Sequence, residues 1–417
     1  MSMRKMGWIG LFFSVSLLGQ TLSLQDCLEL AYRNNPDLVK SRYAVETAKI
    51  GIRQAFSSLS PGVSASASSS TSGPWISEYD PEWGWSMGGG INYTLYRPGL
   101  YSSIPLSINR KKLAEYAYLA LKDQIRVLVE KYYYQILTSD TLIGVYKANI
   151  RLSEEQIRKM QLMVNLGLKR ESDLLKSEVQ RGSFEAQLVR ELENRNSAVR
   201  GLNVLMGRDP EHPLELAFMA VDTISVPEWK DALELMRKHN PDLQRVRTQI
   251  EIQKFSLRIA QEAYLPSISG NYSYNRSGRT YDGGIMESDQ IGIRVSLDIF
   301  DGFSRYLNVQ REKVGLREAQ LDYESTLREL EEALANQYNA LETQNRLIQI
   351  HKTNLISAQK DLEVVTRQYA EGFSTILDLM DAQVSVLESQ TNLLKDLYTR
   401  KLIESEIRRL IGKEEKL

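Results

Sequence analysis

Gly84-Trp85-Ser86-Met87-Gly88 has the spacing of a nucleophile elbow, in which a serine on a sharp strand-to-helix turn attacks a carbonyl. That chemistry needs a helix directly after the serine and a histidine to activate it. Here the motif lies inside an alternating stretch with no helix following, and the nearest downstream histidine is His212. No H-E-x-x-H, P-loop or dinucleotide fingerprint occurs. His212, His239 and His351 are far apart in sequence, and the lone Cys27 cannot form an internal disulfide. The residues therefore predict no catalytic site, no metal site and no cofactor. With 52 Lys and Arg against 53 Asp and Glu the net charge is −1, which argues against a nucleic-acid partner.

The elements must then be read for what they build. All 11 prolines lie at positions 36, 61, 74, 81, 98, 105, 210, 213, 227, 241 and 266, leaving 106–209 and everything after 266 free of helix breakers. Residues 1–23 have the layout of a secretory signal peptide: Arg4 and Lys5, an apolar run from Trp8 to Leu18, then small residues. The run is shorter than the roughly 20 residues that span a bilayer. Cleavage is expected between Gly19 and Ser23. Cys27 follows Gln25-Asp26 rather than small residues, so it is expected to pack on a helix face and not to carry lipid.

The mature chain is a tandem duplication. Asn35-Pro36-Asp37-Leu38 recurs as Asn240-Pro241-Asp242-Leu243, an offset of 205 that also relates Pro61 to Pro266, Gly167 to Gly372 and Asp173 to Asp378. Near Tyr96 and Phe300 the offset slips to 204. The copies are read as 24–212 and 225–417 with a linker at 213–224, and each opens with an amphipathic helix that runs on until just before Pro61 or Pro266.

Next comes one β-hairpin per copy, 61–96 and 266–300. Trp85, Met87, Ile91, Tyr93 and Leu95 alternate with polar or small residues, as do Ile291, Ile293, Val295, Leu297 and Ile299. Strict period two gives one apolar and one polar face. Such segments serve a half-buried sheet or an outer-membrane barrel, but four strands are too few to close a barrel. If the strands span a membrane, several chains must share it, because lipid tolerates no open edge.

Beyond the hairpins, 106–165 and 303–370 read as helices of about 90 Å. Leu327, Leu334, Leu341, Ile348, Leu355, Leu362 and Tyr369 recur every seven residues, matched by Val129, Ile136, Ile143, Ile150, Ile157 and Val164 in the first copy. The second heptad position is often polar (Gln337, Gln344, His351), which suits lateral packing in a wall better than a two-stranded zipper. Turns at Gly167 and Gly372 return the chain as helices 172–206 and 375–411, completing helical hairpins 106–206 and 303–411.

Taken in order, these motifs resemble the TolC-type family of trimeric outer-membrane efflux ducts. The carriers are Leu28-Glu29-Leu30-Ala31, Asn34-Asn35-Pro36-Asp37-Leu38, Ala263-Tyr264-Leu265-Pro266, Ile299-Phe300-Asp301-Gly302, Gln368-Tyr369-Ala370-Glu371-Gly372 and Leu377-Asp378-Leu379-Met380-Asp381-Ala382-Gln383. The first copy departs by having Tyr96-Arg97-Pro98-Gly99 where the second has Phe300-Asp301-Gly302. The resemblance implies a mainly α fold with a β-barrel: three chains of four strands each make a twelve-stranded barrel in outer-membrane lipid over an α-helical tunnel. It also implies a homotrimer serving tripartite efflux or type I secretion, with a periplasmic adaptor and an inner-membrane pump of RND, ABC or MFS type. Asp378 and Asp381 match the family's acidic aperture rings, and Gly167, Asp173 and Gly372 match the tip positions that adaptors contact. At the first copy's ring positions stand Asp173 and Lys176. A soluble periplasmic coiled-coil adaptor or scaffold would share the helices and the export signal, but it has no use for the alternating hairpins.

Overall fold

The computed structural model describes residues 21–72, 82–217, 226–279 and 284–412. Its elements are α1 (Leu24–Asn34), α2 (Pro36–Ser57), β1 (Gly62–Ser72), β2 (Glu82–Tyr96), α3 (Ser103–Asn165) and α4 (Glu171–Leu205). The same order then recurs as α5 (Trp229–His239), α6 (Pro241–Glu262), β3 (Ser267–Arg279), β4 (Ile285–Ser296), α7 (Ser304–Glu371) and α8 (Ile376–Ile411). Residues 1–20 of the expected signal peptide, the expected turn at Gly73-Pro74, Gly283 and residues 218–224 of the expected linker lie outside the described residues.

Where the sequence predicts one opening helix per copy, the structure has two. The residue before a proline is pushed out of the helical region, and Asn35 (ψ 122°) and Asn240 (ψ 123°) both turn extended at the break. Asn240 Oδ1 then accepts from Leu243 N–H, capping α6, while its Nδ2 donates to the Leu410 carbonyl. Asn35 Nδ2 donates to the Leu205 carbonyl, the same bond 205 residues earlier. Each asparagine thus ends one helix, starts the next and pins the end of its copy's last helix.

The strands form one antiparallel sheet in the order β1-β2-β3-β4. Val63, Ile91, Tyr272 and Ile291 lie in one cross-strand row, so the apolar parity of all four strands falls on one face. The other face carries rows such as Ser66-Gly88-Asn275-Ser288. β4 ends at Ser296, short of the predicted Ile299, because its partner β3 begins at Ser267 directly opposite. Among the described residues no strand residue pairs with 297–299.

The described residues fall into two compact units. One takes those of Met1–Asn35, Ile125–Ser225 and Ala340–Ser405; the other takes Pro36–Gln124, Val226–Asn339 and Glu406–Leu417. In the first, Leu142, Tyr146, Phe184 and Leu387 make one buried cluster, and Met160, Leu174, Ile376 and Leu379 another. The heptad stripes point inward: Val129, Ile136, Leu334 and Ile348 are buried. Two of the polar heptad residues are paired there, with Gln344 Nε2 donating to the Asp396 carbonyl and His351 Nδ1 against the Asp396 carboxylate. No described helix is long and apolar enough to cross a membrane.

Candidate functional site

At the α7–α8 turn, Gly372 takes φ +84°, the left-handed conformation that ends a helix without a Cβ clash. Gly372 N–H donates to the Tyr369 carbonyl and Phe373 N–H to the Gln368 carbonyl, a paired helix-stop. The α8 start is a reciprocal cap. Asp378 Oδ2 accepts from Thr375 N–H (2.8 Å), Thr375 Oγ1 (2.7 Å) and Ser374 Oγ (3.1 Å), while Asp378 N–H donates to Thr375 Oγ1. The Thr375 hydroxyl, then the Thr375 amide and the Ser374 hydroxyl, hold this carboxyl below its ordinary pKa. Asp381, one turn on, is exposed. Both aspartates line an open groove of about 410 Å³ with Asp361, Gln368, Phe373 and Ser385.

The α3–α4 turn has the same backbone and different chemistry. Gly167 (φ +73°) repeats the helix-stop, with Gly167 N–H on the Val164 carbonyl and Leu168 N–H on the Met163 carbonyl. The position before α4 is Arg170, whose side chain caps nothing. Asp173 is half-buried in the first turn of α4, and Lys176 is exposed. Lys169 Nζ sits 4.7 Å from the centroid of the Tyr369 ring. Burial first, and the nearby Asp173 charge second, push the Tyr369 hydroxyl up. Gly167 and Asp173 therefore belong to one tip and Gly372, Asp378 and Asp381 to the other. Lys169 and Tyr369 link the two. Asp361 and Lys169 were missed in the sequence: Asp361 lies in mid-helix, and Lys169 stands in the α3–α4 turn with nothing local to mark Tyr369 as its partner.

Ser86 lies in mid-strand, its Oγ 2.8 Å from Ser68 Oγ, not on an elbow. Cys27 is fully buried in α1, and burial raises its thiol pKa to about 12. Among the described residues no group of His, Cys, Asp or Glu is placed to hold a metal ion. On the apolar face of the sheet Trp85, Met87, Ile91, Tyr93, Ile291 and Ile293 are all exposed. Charge enters that face at one end, where Arg276 pairs with Glu287 at 3.2 Å. An exposed band of this kind, with aromatic residues among the aliphatic ones, is the exterior that lipid requires of a membrane strand.

The sequence profile of outer membrane efflux proteins matches residues 27–208 and, a second time, residues 232–413. The chain belongs to the outer membrane efflux protein family. Outer membrane protein TolC of Escherichia coli (strain K12) is 22% identical over 432 residues, covering 97% of this chain and 85% of TolC. Alkaline protease secretion protein AprF of Pseudomonas aeruginosa is 21% identical over 320 residues, covering 73% of this chain and 63% of AprF. The crystal structure of CusC superposes with a TM-score of 0.82 at 16% identity, covering 95% of this chain and 96% of CusC. The fold is that of the family's channels, helical with a four-stranded antiparallel sheet. Like the family, the chain is an outer-membrane protein, an efflux or secretion channel.

Proposed function

We propose that three copies of the chain join edge to edge into a twelve-stranded barrel over a helical tunnel. The trimer is the exit duct of a tripartite efflux or type I secretion assembly. It conducts passively from an inner-membrane pump of RND, ABC or MFS type through a periplasmic adaptor. The observation that carries this reading is the sheet: four strands with a continuous exposed apolar face and two unpaired edges, β1 and β4. In lipid every backbone group needs a partner, so those edges must be satisfied by other strands.

In this reading residues 1–23 are removed on export, and the repeats 24–212 and 225–417, joined by 213–224, supply two strands and one helical hairpin each. Asp378 and Asp381 face the aperture, six carboxylates in the trimer, favouring cations. Asp381 carries the larger share, because the Asp378 carboxylate is committed to its cap. Gly167, Asp173 and Gly372 form the tips that the adaptor touches. Planar-bilayer recording tests the assignment. Asp381→Ala should lower cation selectivity more than Asp378→Ala, and selectivity unchanged in both would remove these residues from the aperture. Single-particle imaging in detergent should show a threefold particle; a monomer would refute the duct.

A further inference from the structure

The two faces of the sheet carry charge differently. On the apolar face the charged residues gather at one end, where Arg276 pairs with Glu287 at 3.2 Å and Asp289 stands opposite Tyr274. The polar face runs in cross-strand rows from Ser68-Ser86-Ser277-Met286 to Thr94-Ser269-Arg294, close to the start of β3 at Ser267. Every position in the rows between is serine, glycine, asparagine or glutamine. Arg294 is the single charge on that stretch of the face. It is exposed and, among the described residues, in no ion pair.

The surroundings leave its guanidinium open. Gly292 precedes it on the same face, and the Asn271 amide leans over that glycine: a Cβ there would come 3.2 Å from Asn271 Oδ1. Ser269, directly opposite, and Thr94 beyond it offer hydroxyls in the same row. Of the acids that follow in the chain, Asp298 lies past the end of β4, and Asp301 Oδ2 is committed to Arg305 N–H and Nε, each at 2.9 Å. The hairpins superimpose with Ile91 on Val295, so the first copy has Gly90 where the second has Arg294. The strand pattern therefore does not require a cation here.

In the edge-to-edge trimer proposed above, the apolar face meets lipid and the polar face lines the pore. Each chain then brings one Arg294 to the same level of the wall, three in all. We infer that this arginine level makes the barrel a binding station for anions carrying several phosphate, sulfonate or carboxylate groups. A ring of arginines is the arrangement that selects anions and phosphates in pores. The planar guanidinium fork holds such oxygens two at a time, and Ser269 and Thr94 add hydroxyl donors beside it. Walls carrying one sign of charge focus the field within a cleft, and at physiological salt that field reaches about 8 Å from each charge. The inference rests on the duct reading and adds a site opposite in sign to Asp378 and Asp381.

Planar-bilayer recording of the full-length protein tests it, with inositol hexakisphosphate as the probe. Added to the chamber facing the barrel, the probe should block the unaltered channel reversibly, and less so as salt rises. Arg294→Gln keeps a polar side chain at an exposed position. It should raise the half-blocking concentration about tenfold or more, the loss expected when charge-assisted hydrogen bonds are removed. Arg294→Lys should restore part of the block, and Arg276→Gln on the apolar face should leave it intact. Native mass measurement of each variant reports whether the trimer has formed. A trimer that the probe does not block, or blocks equally well in Arg294→Gln, overturns the station and leaves the duct standing. Equal loss of block in Arg276→Gln would mean that overall charge and not the Arg294 level attracts the probe, which overturns the station as well. A monomer overturns the duct, and the station with it.

Discussion

The two tips share a backbone and differ in what they do with their polar side chains. Both long helices stop on a left-handed glycine with the same pair of hydrogen bonds. After that, α8 is started by a reciprocal Thr375–Asp378 cap and continues to an exposed Asp381, whereas α4 starts on Arg170 without a side-chain cap and reaches Lys176. At the heads the difference recurs. α3 borrows Glu262 from α6, and α7 uses its own Asp301. Duplication therefore kept the turns, which backbone geometry enforces, and let the charges diverge. At its head the first copy depends on a carboxylate of the second, whereas the second copy supplies its own.

The sharpest break in the repeat is in the core. Phe184 is 1% exposed among Leu142, Tyr146 and Leu387, and the position 205 residues on is Ser389. Phe184→Ala should destabilise by about 3–5 kcal/mol, lowering the thermal unfolding midpoint in detergent, while Ser389→Ala should be close to neutral. Equal effects would show that the two copies share the core load after all. Next comes the borrowed cap. Glu262→Ala strips Gly99 N–H and Ser102 Oγ of their acceptor and should cost about 2 kcal/mol, with faster amide exchange at the start of α3 and none at the start of α7. Loss of protection at both heads would mean that they are coupled.

The glycines should behave alike. Gly167→Ala and Gly372→Ala meet no atom within 4 Å, so each should cost only left-handed strain, about 1 kcal/mol. Gly207→Ala and Gly412→Ala should cost more, because the new Cβ would fall 2.7 Å from the Asn34 carbonyl oxygen or 2.5 Å from that of His239. The smallest effect is electrostatic. The folded carboxyl of Asp378 has a lowered pKa, so its stabilisation is present above the unfolded-state pKa and is lost as pH falls through the folded one. Amide protection in the first turn of α8 should accordingly persist from neutral pH into mild acid and fall only below the ordinary carboxylate range. Protection at α4 should lack this step.

Much of this was legible because it is local. A proline-free run, a seven-residue stripe, a period-two strand and a glycine after a helix each depend on near neighbours in the chain. The break at Asn35-Pro36 was legible in principle, since the restriction before proline is local too; the continuous amphipathic pattern concealed it. The end of β4 was not legible. The alternation to Ile299 states which face each residue takes but not whether a strand stands opposite, and among the described residues none does beyond Ser296.

What the sequence alone determined was therefore the parts and their order: the duplication, the strands, the long helices and the turning glycines. Tertiary structure decided how polar groups are committed. It turned Asp378 into a cap, joined Lys169 to Tyr369 across the two tips, gave Asp396 to Gln344 and His351, and gave Glu262 to α3. Those partners lie from three to about 200 residues apart, and a hydrogen bond depends on distance in space rather than along the chain. The same reason explains the uncovered strand edges and apolar sheet face: only the folded chain shows which faces its own elements cover and which they leave exposed.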